Sequence, residues 1–233
     1  MIQINHLKAP PRSALLNETA TPLQIGSLFL QAPFLASAPR GRGGRVLVFP
    51  GYGASDASTA VLRGYLSFLG YRVAGWGQGA NNGDVLTLLE DLKAHVLREA
   101  RGEPVTLIGW SLGGYLAREV ARDLAENVRH VITMGSPVLG GPKYTAVATA
   151  FSNAQGGLDV IEQLVAERYN VPLKVPVTAL YSKLDGVVAW EACIDPVSDG
   201  VEHVEILSTH AGFGFSATAY QKIAHKLAEV HNP

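Results

Sequence analysis

The sequence predicts an α/β fold: a mostly parallel central sheet with helices on both faces and a small helical cap insertion. Three observations carry this. Short unbroken apolar runs such as Val46-Leu47-Val48-Phe49 recur along the chain, as strands buried on both faces should read. Stripes at helical spacing stand between them, for example Leu88, Leu89, Leu92 and Val96, and that alternation means βαβ units. The 233 residues are 47% hydrophobic and only 17% charged, against a usual charged share of about 25%, so a large core is affordable and a disordered chain is excluded.

The elements follow in order. Residues 1–40 have weak periodicity, and 23–35 suit a short apolar helix lying on the domain or over a site entrance. Residues 41–44 (GRGG) punctuate, the run 46–49 is the first strong strand, and Pro50-Gly51-Tyr52-Gly53 breaks it. Ser55 or Asp56 caps a helix whose apolar face is Val61, Leu62, Tyr65, Leu66 and Leu69, and Gly70 stops it. Residues 71–74 form a short strand, followed by a glycine and asparagine loop over 75–83. Asp84 caps a helix with Val85, Leu88, Leu89, Leu92 and Val96 on one face. Residues 105–108 are the next strand, Leu112, Tyr115, Leu116 and Val120 mark the next helix, and 131–134 another strand. The alternation then pauses over 135–174, a stretch long enough to carry its own structure, with a helical stripe at Leu158, Ile161, Leu164, Val165 and Tyr169. Strands resume at 175–181 and 204–207, and Phe215, Ile223, Leu227 and Val230 mark a closing helix. The expected organisation is a segment, 1–43, packed on a domain, 44–233, with the cap insertion at about 135–174.

Composition also limits the partners. The net charge is −1, from 19 Lys+Arg and 20 Asp+Glu, which leaves no electrostatic footprint for nucleic acid. Cys193 is the single cysteine, so no intrachain disulfide forms and a cysteine metal site is not expected. No His/Asp/Glu spacing suggests a metal, and no cofactor is called for. Residues 1–10 (MIQINHLKAP) lack a basic stretch followed by an apolar run, and Pro33 interrupts the small-residue pattern of 27–38, so no secretory signal is expected. No run of about 18 apolar residues exists to span a membrane. The expectation is a cytoplasmic protein; its oligomeric state is not set by the sequence.

In parallel sheets, sites lie beyond the carboxyl ends of the strands. There, Gly109-Trp110-Ser111-Leu112-Gly113 fits G-x-S-x-G between an apolar strand and a helical stripe. So tight a turn forces its middle residue into a strained conformation, demands small neighbours two positions away, and projects the serine out of the sheet edge. A serine hydroxyl needs a base, and the base an orienting acid, in the chain order Ser, Asp or Glu, His. Of His130, His203, His210, His225 and His231, only His210 directly follows a strand; His130 sits at the wrong end of one, His203 inside or at the start of one, and His225 and His231 on or after the last helix, in solvent. Asp185 is the favoured acid because it comes soonest after the strand ending at Tyr181, with Gly186 allowing a sharp turn; Asp195, Asp199 and Glu191 compete. The oxyanion needs two backbone donors. Leu112 is one; Pro50 has no N–H, which leaves Gly51 or Tyr52 as the other, with Tyr52 favoured. Trp110 and Tyr52 are the candidate substrate contacts.

These residues, with the Phe49-Pro50-Gly51-Tyr52-Gly53 loop, occur in the order found in α/β-hydrolases, and over about residues 44–232 the chain resembles that family. Residues 47–82 and Met134-Gly135-Ser136-Pro137 are similar to small bacterial lipase- and esterase-like members, although many members carry His-Gly where this chain has Pro50-Gly51. The resemblance implies that the insertion, which in the family follows the sixth sheet strand, caps an acyl pocket, here apolar because 135–174 is rich in Ala, Val and Leu. The expected function is a serine hydrolase of carboxylic esters with a small-molecule substrate. An acyltransferase or thioesterase on the same triad, or a ligand-binding protein with little turnover, are the rivals. Other signals carry less. Gly75-Trp76-Gly77-Gln78-Gly79 lacks the Lys-Ser/Thr of a phosphate loop. Asn81, Asn82 and Asp84 either line the site or form a turn; Trp76, Trp110 and Trp190 wall a pocket or pack the core; Cys193 has a structural or surface role.

Overall fold

The apolar runs assemble into one parallel sheet. A computed structural model describes residues 7–146, 148 and 158–232. Within them β1 (Arg45–Phe49), β2 (Arg72–Gly75), β3 (Val105–Trp110), β4 (Val128–Met134), β5 (Val177–Tyr181) and β6 (Val201–Glu205) pair in the order β2-β1-β3-β4-β5-β6. Every pairing is parallel, and Phe49 aligns with Gly109, Trp110 with Met134, Met134 with Leu180 and Tyr181 with Glu205. That register brings the carboxyl ends to one edge, where the loops of interest collect.

Side chains alternate along each strand, so each central run serves two layers. Leu47, Phe49, Leu107, Val131 and Val177 pack with Leu88, Leu92 and Val96 of α4 (Val85–Ala100) and Leu116 and Val120 of α5 (Leu112–Asp123). Val46, Val48, Ile108, Ile132 and Leu180 pack with Leu62 and Leu66 of α3 (Ala60–Phe68) and Ile223 and Leu227 of α7 (Ala217–His231). Each such side chain taken from water contributes about 1.5–3 kcal/mol, and polar residues inside these strands find partners there: Thr106 Oγ1 lies 2.9 Å from His231 Nε2, and Thr178 Oγ1 3.0 Å from His130 Nε2.

The N-terminal segment holds more structure than one helix. A 3-10 helix (Arg12–Ala20) precedes α1 (Thr21–Leu30) and α2 (Ala32–Ala36). Pro33 has no N–H to offer the carbonyl four residues back, so the expected single helix over 23–35 divides, and the proline falls in the first turn of α2. Leu28 and Leu35 plug into the second core layer beside Tyr220.

Several boundaries differ from the sequence reading. Ser55, not Asp56, caps the turn into α3 by accepting from the Ala57 N–H; the Asp56 carboxylate instead accepts from the Trp76 and Gly77 amides at the end of β2. Val61 is exposed rather than on the buried face. β6 begins at Val201, earlier than expected, because it is an edge strand whose alternation with Glu202, His203 and Glu205 hides it from a search for apolar runs. His231 is not solvated. It ends α7 half-buried, its Nε2 lies 2.9 Å from Thr106 Oγ1, and burial, aided by the positive Arg129, pushes its pKa down to about 4.

The insertion leaves the sheet after β4 and returns at β5, so in this six-stranded sheet it follows the fourth strand. It carries a 3-10 turn (Gly141–Tyr144) and α6 (Leu158–Tyr169). Val165 and Tyr169 of the expected stripe are buried; the side chains of Leu158, Ile161 and Leu164, like residues 1–6 of the N-terminal reading, lie outside the described part.

Candidate active site

Ser111 joins β3 to α5 with φ 54° and ψ −125°, a left-handed backbone conformation that costs a non-glycine residue about 1–3 kcal/mol. The packing around it enforces the strain. A Cβ on Gly109 would strike the backbone of Gly113 and Gly114, and one on Gly113 would strike the carbonyls of Phe49 and Pro50. Helix and strand therefore meet only because both flanking positions lack side chains. The Ser111 amide donates to the Met134 carbonyl at 2.9 Å, fixing the turn to β4. Leu112 opens α5, so its N–H has no carbonyl within the helix and lies at the positive end of the helix dipole.

Asp185 and His210 come from the ends of β5 and β6. After β5, Asp185 Oδ1 accepts from the amides of Val187 and Val188, each at 2.8 Å, while Oδ2 lies 2.8 Å from His210 Nδ1. A carboxylate only accepts, so Nδ1–H is the donor in this pair, and in the neutral imidazole Nε2 then holds the lone pair. After β6, His210 is fixed through its carbonyl, which accepts from the Trp110 indole N–H at 3.1 Å. Ser182 Oγ accepts from both Leu184 N and Ser208 N, at 3.1 Å each, and so couples the two loops.

The other acids stand elsewhere. Asp195 is buried against Arg118 of α5 and accepts from the Tyr169 hydroxyl of α6 at 2.8 Å. Burial pushes its carboxyl up, but the Arg118 charge and the Val197, Tyr169 and Ser198 donors outweigh it and hold the group well below the carboxylate range. Asp199 and Glu191 are exposed. Gly186 also serves a purpose other than the one expected: its φ is not in the positive region, and what its bare Cα permits is the approach of the Ala14 carbonyl.

Ser111 and His210 open on one cavity of about 320 Å³, walled by Tyr52, Trp110, Leu112, Tyr115, Val165 and Val187. The loop carrying Tyr52 passes against the serine, since a Cβ on Gly51 would lie 3.3 Å from that of Ser111. Asn81 holds this loop: it is fully buried, its side-chain amide donates to Pro50 O at 3.0 Å, its backbone N–H to Ala54 O and its carbonyl accepts from Gly53 N, both at 2.8 Å. Of the tryptophans, Trp110 lines the cavity, Trp76 is buried in the core, and Trp190 stacks on Tyr181. Cys193 is buried and free.

The sequence-predicted residues Ser111, Asp185, His210, Leu112, Tyr52 and Trp110 thus gather at one sheet edge. The loop-holding part of Asn81 was legible only as one of two readings of an Asn-Gly turn. Glu18, whose carboxylate reaches the Asp185 and His210 loops, stands in an aperiodic segment that gave no signal. Among the described residues, no group of three or more His, Cys, Asp or Glu is placed to hold a metal ion, and no helix is long and apolar enough to cross a membrane.

Comparison with known proteins agrees with the fold. Residues 25–229 match the model of the alpha/beta hydrolase family, and the chain belongs to that family. Similar solved structures include a monoacylglycerol lipase from Paleococcus ferrophilus (16% identity, 82% of this chain and 96% of that one, TM-score 0.62). Others are a thermophilic esterase from Thermogutta terrifontis (18%, 82% and 92%, TM-score 0.60) and an alpha/beta superfamily hydrolase from Oenococcus oeni PSU-1 (16%, 83% and 94%, TM-score 0.62). At these identities the likeness is one of fold. A search of curated proteins finds no match.

Proposed function

We propose that the chain is a serine hydrolase that cleaves carboxylic esters with an apolar acyl group. One observation carries the reading: the hydrogen-bonded Asp185–His210 pair and the strained Ser111 open on the same largely apolar cavity. Ser111 Oγ attacks the ester carbonyl carbon as its proton passes to His210 Nε2. The Leu112 and Tyr52 amides receive the charge that develops on the carbonyl oxygen. Asp185 keeps the imidazole in the tautomer that accepts this proton and stabilises the imidazolium. His210 then gives the proton to the departing alkoxide, and a water activated by the same imidazole releases the acid and restores Ser111. The apolar wall, with Val165 contributed by the insertion, suits an acyl chain.

The test is a panel of p-nitrophenyl esters of graded acyl length, with a serine-directed phosphonate as active-site titrant. Wild type should be labelled stoichiometrically and show a length optimum. Ser111→Ala should lose labelling and about 10⁴-fold or more of the rate. Equal rates in the two proteins, or a wild type that the phosphonate never labels, would overturn the reading.

A further inference from the structure

We propose that Glu18 is a positioning residue for this site, resting on the reading above: its carboxylate ties the acid loop and the histidine loop into one unit and so sets the alignment of Asp185 with His210. Glu18 lies in the 3-10 helix Arg12–Ala20, far along the chain from either loop. Its Oε1 accepts from Gly186 N at 3.0 Å and from His210 N at 2.9 Å, and its Oε2 accepts from Ala211 N at 2.9 Å. One of these amides immediately follows Asp185, another belongs to His210 itself. Among the described residues, no other side chain bonds the backbone amides of both Gly186 and His210.

The surroundings are shaped for this approach. A Cβ on Gly186 would strike the Ala14 carbonyl, and one on Gly212 would strike the Gln24 side chain. Each loop thus presents a glycine to the N-terminal segment. Auxiliary tethers flank the carboxylate: Asn17 Nδ2 donates to Leu184 O at 3.1 Å, and Thr21 and Thr209 share a hydroxyl contact at 2.7 Å. The chemistry of Glu18 suits the task. Three N–H groups converge on it, and a carboxylate offers about four acceptor sites and no donor, with bonds strengthened by its charge. An amide in the same place would turn an N–H toward an N–H. The Asp185–His210 bond depends on two loops from different strands keeping their spacing, and small misplacements of reacting groups cost about 10²-fold in rate.

The experiment compares wild type, Glu18→Gln, Glu18→Ala and, as a control, Asn17→Ala, which removes a tether of the same segment but leaves the carboxylate. The kcat per phosphonate-titrated site should fall about 10²-fold in Glu18→Ala and by an intermediate factor in Glu18→Gln, with KM little changed, and stay within about twofold in Asn17→Ala. The low-field proton resonance of His210 Nδ1–H, read by NMR without turnover, should shift or broaden in the same order. Should Glu18→Ala fail to fold, the isosteric Glu18→Gln carries both readouts. A kcat per titrated site and a low-field resonance unchanged in Glu18→Gln and Glu18→Ala, or an Asn17→Ala loss as large as theirs, overturns the clamp while the hydrolase reading stands. A wild type that is neither labelled nor active overturns that reading, and the resonance still decides whether Glu18 aligns the pair.

Discussion

His210 Nδ1 and Asp185 Oδ2 lie 2.8 Å apart, with the aspartate side chain only 1% exposed. Oδ1 is held by two backbone amides, so the carboxylate cannot swing away from the imidazole without breaking both bonds. Asp185→Asn keeps the shape but offers an N–H where the imidazole needs an acceptor, so the ring settles in the wrong tautomer. The kcat for ester hydrolysis should fall about 10⁴-fold with the thermal midpoint little altered. A variant of near wild-type rate would remove Asp185 from the mechanism.

Asn81→Ala should act through the loop that carries Tyr52. Deleting a buried amide that donates to Pro50 O leaves that carbonyl unpaired, at a cost of about 1–3 kcal/mol, and loosens the loop over Ser111. The expected result is a kcat reduced by about 10- to 10²-fold with KM changed less, measured on the preferred p-nitrophenyl ester. Loss of stability with an unaltered kcat per titrated site would mean that the turn is structural alone.

Asp195 offers the opposite contrast. It faces Arg118, whose side chain is 2% exposed, and Tyr169 of the insertion. Asp195→Ala leaves the guanidinium buried without a counter-charge, which costs about 3–5 kcal/mol. For a chain of this size that is a fall of roughly 6–20 °C in Tm. The fraction that remains folded should turn over at the wild-type rate per titrated site. A rate collapse with Tm intact would show that the acid had been assigned to the wrong aspartate.

Stability should fall in mild acid. Burial, reinforced by the positive Lys226, pushes His130 down to about 4, and its Nε2 sits 3.0 Å from Thr178 Oγ1; His231 is lowered to about 4 as well. Both titrate near 6.5 when unfolded. As pH drops, the unfolded chain takes up these protons first, so stability present above pH 6.5 is lost between about 6.5 and 4. For the buried His130 the slope approaches about 1.4 kcal/mol per pH unit. Tm measured from pH 7 to 4 should decline, and His231→Gln should flatten the curve. A Tm constant across that range would contradict the burial of neutral histidines.

The central strands and the serine turn were legible because their causes are local. Strands buried on both faces read as mostly apolar runs, and a strand-to-helix turn as tight as that at Ser111 must have glycine at 109 and 113. The edge strand β6 is less legible because one-sided burial leaves polar residues in it, and the N-terminal segment is less legible because several of its side chains bond to loops far along the chain.

What the sequence by itself determined is therefore the alternating α/β order, the buried runs and the positions of Ser111, Asp185 and His210 after three of the strands. What only the tertiary structure decided is which acid meets His210, how Asn81 holds the loop over the serine, and that Glu18 reaches both the acid and histidine loops. Periodicity and turn chemistry are set between residues a few positions apart. A hydrogen bond between residues 18 and 210 has no local correlate, because the chain pays for that closure only once the whole sheet has brought its carboxyl edge together.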